Sequence, residues 1–293
     1  MSDNPAARPA APVVERRGLL ARLARARPTQ PGEIYGVPGA GETRMLSIAT
    51  IAVLIFIWWL STTLGWVKPL FVPAPQAIVQ DFVTILRRGY TGEPLWLHVG
   101  ISTARVFGAF MLACLIGIPL GLAMGISPVM RGIFDPPIEF YRPIPPLAYL
   151  PLMIIWFGIG ETSKVLLIFL SVFAPVALGA RSGVRSAAIE QIHAAYSFGA
   201  TRWQVLMRVI LPSAMPEILT AMRIGIGFGW TTLVAAEMVA ATSGLGYMVL
   251  SASQFLQTGI VIMGIIVIAA IAYMFDLIMR MLERRLVPWK GRM

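Results

Sequence analysis

Long apolar runs constrain the fold of this chain more than any other feature, because each approaches the length needed to cross a bilayer. A helix needs about 20 apolar residues to span about 30 Å of hydrocarbon. The charged fraction of 13% is about half that of an ordinary soluble domain. The sequence therefore predicts an all-α integral membrane protein. Its predicted membrane-spanning helices are 45–66, 99–126, 138–159, 164–183, 216–241 and 259–282.

Lys and Arg are distributed unevenly among the connections between these runs. If the amino terminus is inside, only four of the 24 Lys and Arg residues fall in outer connections. They are Lys68, Arg87, Arg88 and Lys164. Positive residues are retained on the cytoplasmic side of a membrane. Both termini and the loop at 184–213 are therefore predicted to be cytoplasmic. The same asymmetry accounts for the net charge of +10 without a nucleic acid partner.

The chain is predicted to have three parts. Residues 1–44 are rich in Ala, Pro, Gly and Arg and lack apolar periodicity, which predicts a largely disordered basic cytoplasmic tail. Residues 45–286 form the transmembrane domain, and residues 287–293 form a short basic end.

The run at 138–159 is interrupted by Pro143, Pro145, Pro146 and Pro151. Broken backbone at membrane depth is tolerated where it is buried in protein or lines a cavity. This segment therefore either lines a translocation path or is a kinked packing helix. A charged residue within a span is costly, so it is expected to have a functional role, to pair with another helix or to snorkel to the interface. Snorkelling is expected for Arg105, near the outer end of its span. The residues predicted to line the path are Tyr141, Arg142, Pro145, Pro146, Ala148, Arg223 and Glu237.

The polar stretch 187–212 separates two apolar runs. Its helix-forming residues extend to Phe198, and Gly199 is typical of a helix C-cap. Thr201 is suited to cap a second helix, which Pro212 is expected to end. Two short helices joined at a glycine form a compact unit suited to docking on another protein.

The spacing in this stretch resembles the cytoplasmic loop signature of permease subunits of bacterial ABC importers. That signature has Glu-Ala-Ala, three residues, Gly, nine residues, Ile, one residue and Leu-Pro. Here His193 and Val209 replace its Glu and Ile. The matching positions are His193, Ala194, Ala195, Gly199, Leu211 and Pro212. The resemblance extends over about 58–289 and is greatest to the taurine-type branch. The stretches that show it are FVPAPQAI from Phe71, YRPIPPLAYLPLMIIWFGIGETSK from Tyr141 and GWTTLVAAEMVAATSGLGYMV from Gly229.

This resemblance implies six transmembrane helices of the type I ABC importer permease kind, in a bacterial inner membrane. It implies a homodimer with two cytoplasmic ATPase subunits and a periplasmic binding protein that delivers taurine or a related alkanesulfonate. The six signature positions would couple to the ATPase. Nitrate or a thiamine precursor are the substrates of related branches and remain alternatives.

The sequence contains no residues typical of an enzyme. A phosphate-binding loop requires Gly-Lys followed by Ser or Thr, and none of the lysines follows a glycine. ATP and Mg are therefore expected on a partner, and no cofactor, metal or catalytic residue is expected here. His98 and His193 are far apart in sequence, so they do not suggest a metal site. Cys114 is the single cysteine and has no partner for a disulfide within the chain. An ion-driven secondary transporter is the alternative class, but no inverted repeat is evident.

Overall fold

The computed structural model of this chain describes residues 25–26, 41–42 and 44–289. Two compact units are separated after Pro69. In the first, strands β1 (Arg25–Ala26) and β2 (Gly41–Glu42) pair antiparallel, and helix α1 (Arg44–Thr63) follows. The rest of the predicted tail 1–44 lies outside the described residues, so its disorder stays a prediction.

The second unit is helical throughout its described part, apart from its connections. Its longest helices are those that supply membrane spans, and the shorter ones lie between them. In order they are α2 (Pro75–Arg88), α3 (Leu95–Ile126), α4 (Pro128–Tyr141), α5 (Pro146–Phe157), α6 (Glu161–Val184), α7 (Ile189–Ser197), α8 (Arg202–Val205), a π-helical segment (Leu206–Ile210), α9 (Leu211–Ala240), α10 (Leu245–Gln254) and α11 (Thr258–Leu286).

Five helical stretches in the described part are long and apolar enough to cross a membrane, against the six predicted. They are Met45–Thr63, Leu95–Ile126, Glu161–Val184, Arg202–Ala240 and Thr258–Leu286. The count of six is therefore not confirmed.

The predicted span 138–159 is not one helix but parts of α4 and α5, separated at residues 142–145. Prolines cause this division because a proline has no backbone N–H and its ring disfavours helical backbone in the residue before it. Pro145, which precedes Pro146, accordingly has ψ 133. The interruption expected from the prolines therefore lies at residues 142–145, whereas Pro151 lies within α5.

Helix α6 packs closely between α3 and α9 because small residues line both contacts. On α3, Gly117 and Gly121 approach the backbone of Ala177. On the other side, Gly183 of α6 lies against Ala214 of α9. Helices without bulky side chains at the contact approach closely, which favours association within a bilayer. These contacts fix the relative positions of α3, α6 and α9.

The connection at 242–258, expected as an outer loop, contains helix α10. Leu245 and Met248 on this helix are fully buried. The absence of charged residues from 245–252 reflects the burial of this part of α10, which was not expected from the sequence.

Candidate functional site

The loop 184–213 contains a helix that ends at a sharp turn. Helix α7 ends at Ser197, and Gly199 has φ +80, in the left-handed region expected for it. The Gly199 N–H donates to the carbonyl of Tyr196 at 2.9 Å, and the Ala200 N–H donates to that of Ala195 at 3.0 Å. These bonds satisfy carbonyls at the helix end, as in a glycine-based C-cap. The predicted termination at Gly199 is confirmed.

The second helix begins at the predicted cap but continues far beyond the predicted end. Thr201 and Gln204 form a capping box, with side-chain-to-backbone distances of 3.3 and 2.8 Å. Pro212 does not end the helix, because the π-helical turn before it widens the backbone and α9 follows directly. A single helical stretch therefore connects Arg202 to Ala240.

Large aromatic side chains of this loop are exposed. Helix α7 has no buried residue. Phe198 is 91% exposed and Trp203 is 65% exposed. Among the residues of the signature, His193, Ala194 and Gly199 are exposed, while Ala195, Leu211 and Pro212 are half-buried. Exposed aromatic side chains outside the predicted spans favour an interaction site here.

A cavity of about 690 Å³ lies beside the proline break. Its walls come from the 141–149 segment, the second half of α6 and the first half of α9. Four of the predicted path residues line it, namely Tyr141, Arg142, Pro145 and Pro146. The other three, Ala148, Arg223 and Glu237, are not part of its wall.

Arg223 pairs with a carboxylate outside the cavity wall. Arg223 Nε lies 3.1 Å from Asp276 Oδ1 on α11, so its charge is paired away from the cavity. Asp276 also accepts from Arg280 Nε at 2.7 Å, one helical turn further along α11.

Glu217 is the cavity residue that sequence analysis missed. It lies on α9, is exposed, and lines the same cavity as Arg142. The available signal was its position as an acidic residue near the start of an apolar span, where a charge is costly.

Glu237 is fully buried and belongs to a polar cluster joining three helices. Its carboxylate accepts from Ser102 Oγ at 2.8 and 2.9 Å and from Arg105 Nη1 at 2.6 Å. The Gly246 N–H also donates to it at 2.8 Å. The cluster joins α3 and α9 to the start of α10, and it satisfies the buried charge.

Arg105 does not reach for solvent, as snorkelling would require, because a second carboxylate completes its pairing. Its Nε and Nη2 each lie 2.6 Å from an oxygen of Glu161, and its side chain is only 5% exposed. Lys164 Nζ contacts the same carboxylate at 3.0 Å. A buried guanidinium is tolerated when paired charges and hydrogen bonds surround it. These groups tie α6 to α3 and α9.

The start of α10 is held by side chains of α3. The Gly244 N–H donates to His98 Nδ1 at 3.1 Å, and the Leu245 N–H donates to Ser102 Oγ at 2.8 Å. The first N–H groups of a helix lack intrahelical partners, so these acceptors stabilise it. No group of three His, Cys, Asp or Glu residues that could hold a metal ion is present in the part of the chain that the structure describes.

Comparison with known proteins places these features in context. Residues 117–288 match the family described as binding-protein-dependent transport system inner membrane component. The chain is 57% identical over 247 residues to the taurine transport system permease protein TauC of Escherichia coli (strain K12), covering 84% of this chain and 90% of that protein. It is 37% identical over 240 residues to a protein named as an aliphatic sulfonates transport permease protein, SsuC, of Bacillus subtilis (strain 168), covering 82% and 86%.

The fold also resembles that of a solved transporter. A chain of the MetNI methionine ABC transporter, in an inward facing conformation, aligns with TM-score 0.57 and 18% identity. The alignment covers 66% of this chain and 97% of that one. At this identity the likeness concerns the fold.

Proposed function

Because this chain belongs to the family of binding-protein-dependent transport system inner membrane components, we propose that it forms the membrane path of an ATP-driven importer for taurine or a related alkanesulfonate. It is a non-catalytic, multi-pass permease subunit of the inner membrane. The proposed substrate rests on the 57% identity to a taurine transport permease over most of both chains. An ion-driven secondary transporter would belong to a different family.

The loop 184–213 is the proposed contact with a cytoplasmic ATPase. Its exposed residues, His193, Ala194 and Gly199, would fit a cleft on that subunit, and the small Ala and Gly permit close approach. The exposed aromatic side chains of Phe198 and Trp203 support the same assignment. ATP and Mg would be bound by the ATPase, since this chain lacks a phosphate-binding loop.

The helix that leaves this loop offers a route for mechanical coupling. The stretch from Arg202 to Ala240 is continuous, and its residues Glu217 to Phe228 contribute to the wall of the cavity. A displacement of Leu211 and Pro212 at its base would therefore reach the cavity wall directly. Closure of the two ATPases would move this wall and switch the path between inward-open and outward-open states.

The complete transporter is proposed to contain two copies of this chain, two ATPases, and a periplasmic binding protein that delivers substrate. The loop and both chain termini would face the cytoplasm, with the tail at 1–44, the membrane domain at 45–286 and the basic end at 287–293. The uneven distribution of cations supports this orientation. Lipids would cover the exposed apolar faces of the spans.

Reconstituted vesicles test this function. The chain, its ATPase and the cognate binding protein are expected to give ATP-dependent taurine uptake that excess ethanesulfonate reduces. Nitrate and a thiamine precursor are expected to have no effect at the same excess. Uptake of either of these without uptake of taurine would contradict the proposal.

A further inference from the structure

We propose that Arg142 and Glu217 form a recognition site for a zwitterionic aminosulfonate within the cavity, an inference that rests on the proposed function. Arg142 would bind the sulfonate, and Glu217 would bind the ammonium. The site would distinguish taurine from alkanesulfonates that have no amine.

Both charges face the same space from different parts of the fold. Arg142 lies at the end of α4 in the proline break, and Glu217 lies on α9. Each lines the cavity of about 690 Å³ and is exposed. One wall therefore presents a cation and another presents an anion to any solute that enters.

Neither charge has an ion-pair partner within 4.0 Å among the residues that the structure describes. Two other charged side chains within the spans that form the neighbouring helices are paired. Arg105 pairs with Glu237, and Arg223 pairs with Asp276. Because a charge within a predicted span is costly, two opposite charges left without an ion pair in one cavity favour a functional role.

Several hydroxyl groups of the cavity wall are engaged elsewhere. Tyr141 donates to the carbonyl of Leu170 at 3.3 Å, and Ser171 donates to that of Ile168 at 2.7 Å. The hydroxyl of Thr220 donates to the carbonyl of Pro216 at 2.8 Å. The charged groups of Arg142 and Glu217 therefore remain available to bind a solute, unlike these hydroxyl groups.

The chemistry of the two groups matches the two ends of taurine. A guanidinium presents a planar fork of N–H donors that can engage two oxygens of one anionic group, and a carboxylate accepts hydrogen bonds from an ammonium. Ethanesulfonate offers the first interaction and lacks the second. The cavity of about 690 Å³ is larger than either solute and leaves room for water beside it.

Direct binding measurements on the complex of this chain with its ATPase, without the binding protein, test the site. In lipid nanodiscs, taurine is expected to bind roughly tenfold more tightly than ethanesulfonate, the effect of one charge-assisted hydrogen bond. Glu217→Gln should remove this difference by weakening taurine binding alone. Arg142→Gln should weaken the binding of both solutes by roughly tenfold.

Two control variants distinguish the cavity charges from charge loss in general. Glu139→Gln and Arg280→Gln remove exposed charges that do not line the cavity, and neither should change the affinities. Co-purification of each variant with the ATPase establishes that it is assembled.

The site is rejected if the unaltered complex binds neither solute or binds both equally, or if Glu217→Gln keeps the preference for taurine. Taurine uptake by vesicles containing the unaltered transporter separates this failure from failure of the proposed function. Uptake without the affinity differences rejects only the site, whereas uptake of another substrate in place of taurine rejects both.

Discussion

Arg105 and Glu237 are 132 residues apart in sequence, yet Nη1 of the arginine lies 2.6 Å from Oε1 of the glutamate. The carboxylate is fully buried, and it also accepts hydrogen bonds from Ser102 and the Gly246 backbone. This pair joins α3 to α9 and holds the start of α10 beside both. Its position away from the cavity wall favours a structural role for Glu237.

Glu237→Ala should destabilise the folded chain by about 3 kcal/mol. The substitution leaves the Gly246 N–H without its acceptor and removes one of the two carboxylates that pair with Arg105. A thermal unfolding measurement in detergent should show a clear decrease in the unfolding temperature. Arg280→Ala, which breaks an exposed pair with Asp276, should cost less than about 1 kcal/mol. Equal shifts for the two variants would contradict the structural role.

Gly199→Val should abolish retention of the ATPase while the protein still inserts and dimerises. Gly199 has φ +80, which strains a β-branched residue, although nothing lies within 4 Å of an added Cβ. Gly108→Val is the control, because its added Cβ also meets open space but its φ lies outside the positive region. Pull-down with the ATPase and taurine-stimulated ATP hydrolysis measure the effect. Normal coupling in Gly199→Val would remove the loop from the proposed mechanism.

His193→Ala should have a milder effect than Gly199→Val in the same pull-down. The usual Glu of the signature is already absent at this exposed position, so its contact is expected to be dispensable. Loss of retention as complete as that in Gly199→Val would show that the imidazole itself is required for docking.

Gly121→Ala should destabilise the contact between α3 and α6 by about 1–3 kcal/mol, because overpacking forces the helices apart. Its added Cβ would overlap the backbone oxygen of Ala177 and the Cβ of Ala180. Gly108→Ala, on the same helix, adds a Cβ with nothing within 4 Å and should be nearly neutral. The unfolding temperatures of the two variants give the comparison. Identical values would show that α3 and α6 do not need their close approach.

Ser197→Cys, in a variant lacking Cys114, should react with an impermeant thiol reagent only from the cytoplasmic side. Ser197 is exposed on the loop proposed to contact the ATPase. Ser253→Cys provides the matched comparison, since Ser253 is also exposed but lies in the connection expected outside. It should react from outside in intact cells. Labelling of Ser197→Cys from outside would overturn the proposed orientation.

Local features of this chain were predictable because their causes lie within a few neighbouring residues. The left-handed backbone at Gly199 and the cap at Thr201 follow from adjacent residue types and were anticipated. The apolar runs similarly indicated membrane spans, since hydrocarbon thickness sets their length. The signature spacing around Gly199 indicated the family, which the comparisons confirm.

The sequence alone determined the helical membrane character, the loop with its turn at Gly199, and the family. Tertiary structure decided how the distant charges divide: Glu237 is buried with Arg105, whereas Glu217 shares a cavity with Arg142. It also decided that α10 is buried and that the helix continues through Pro212. The physical reason is that helix formation depends on local backbone preferences, whereas the partner of a charge depends on which helix faces meet.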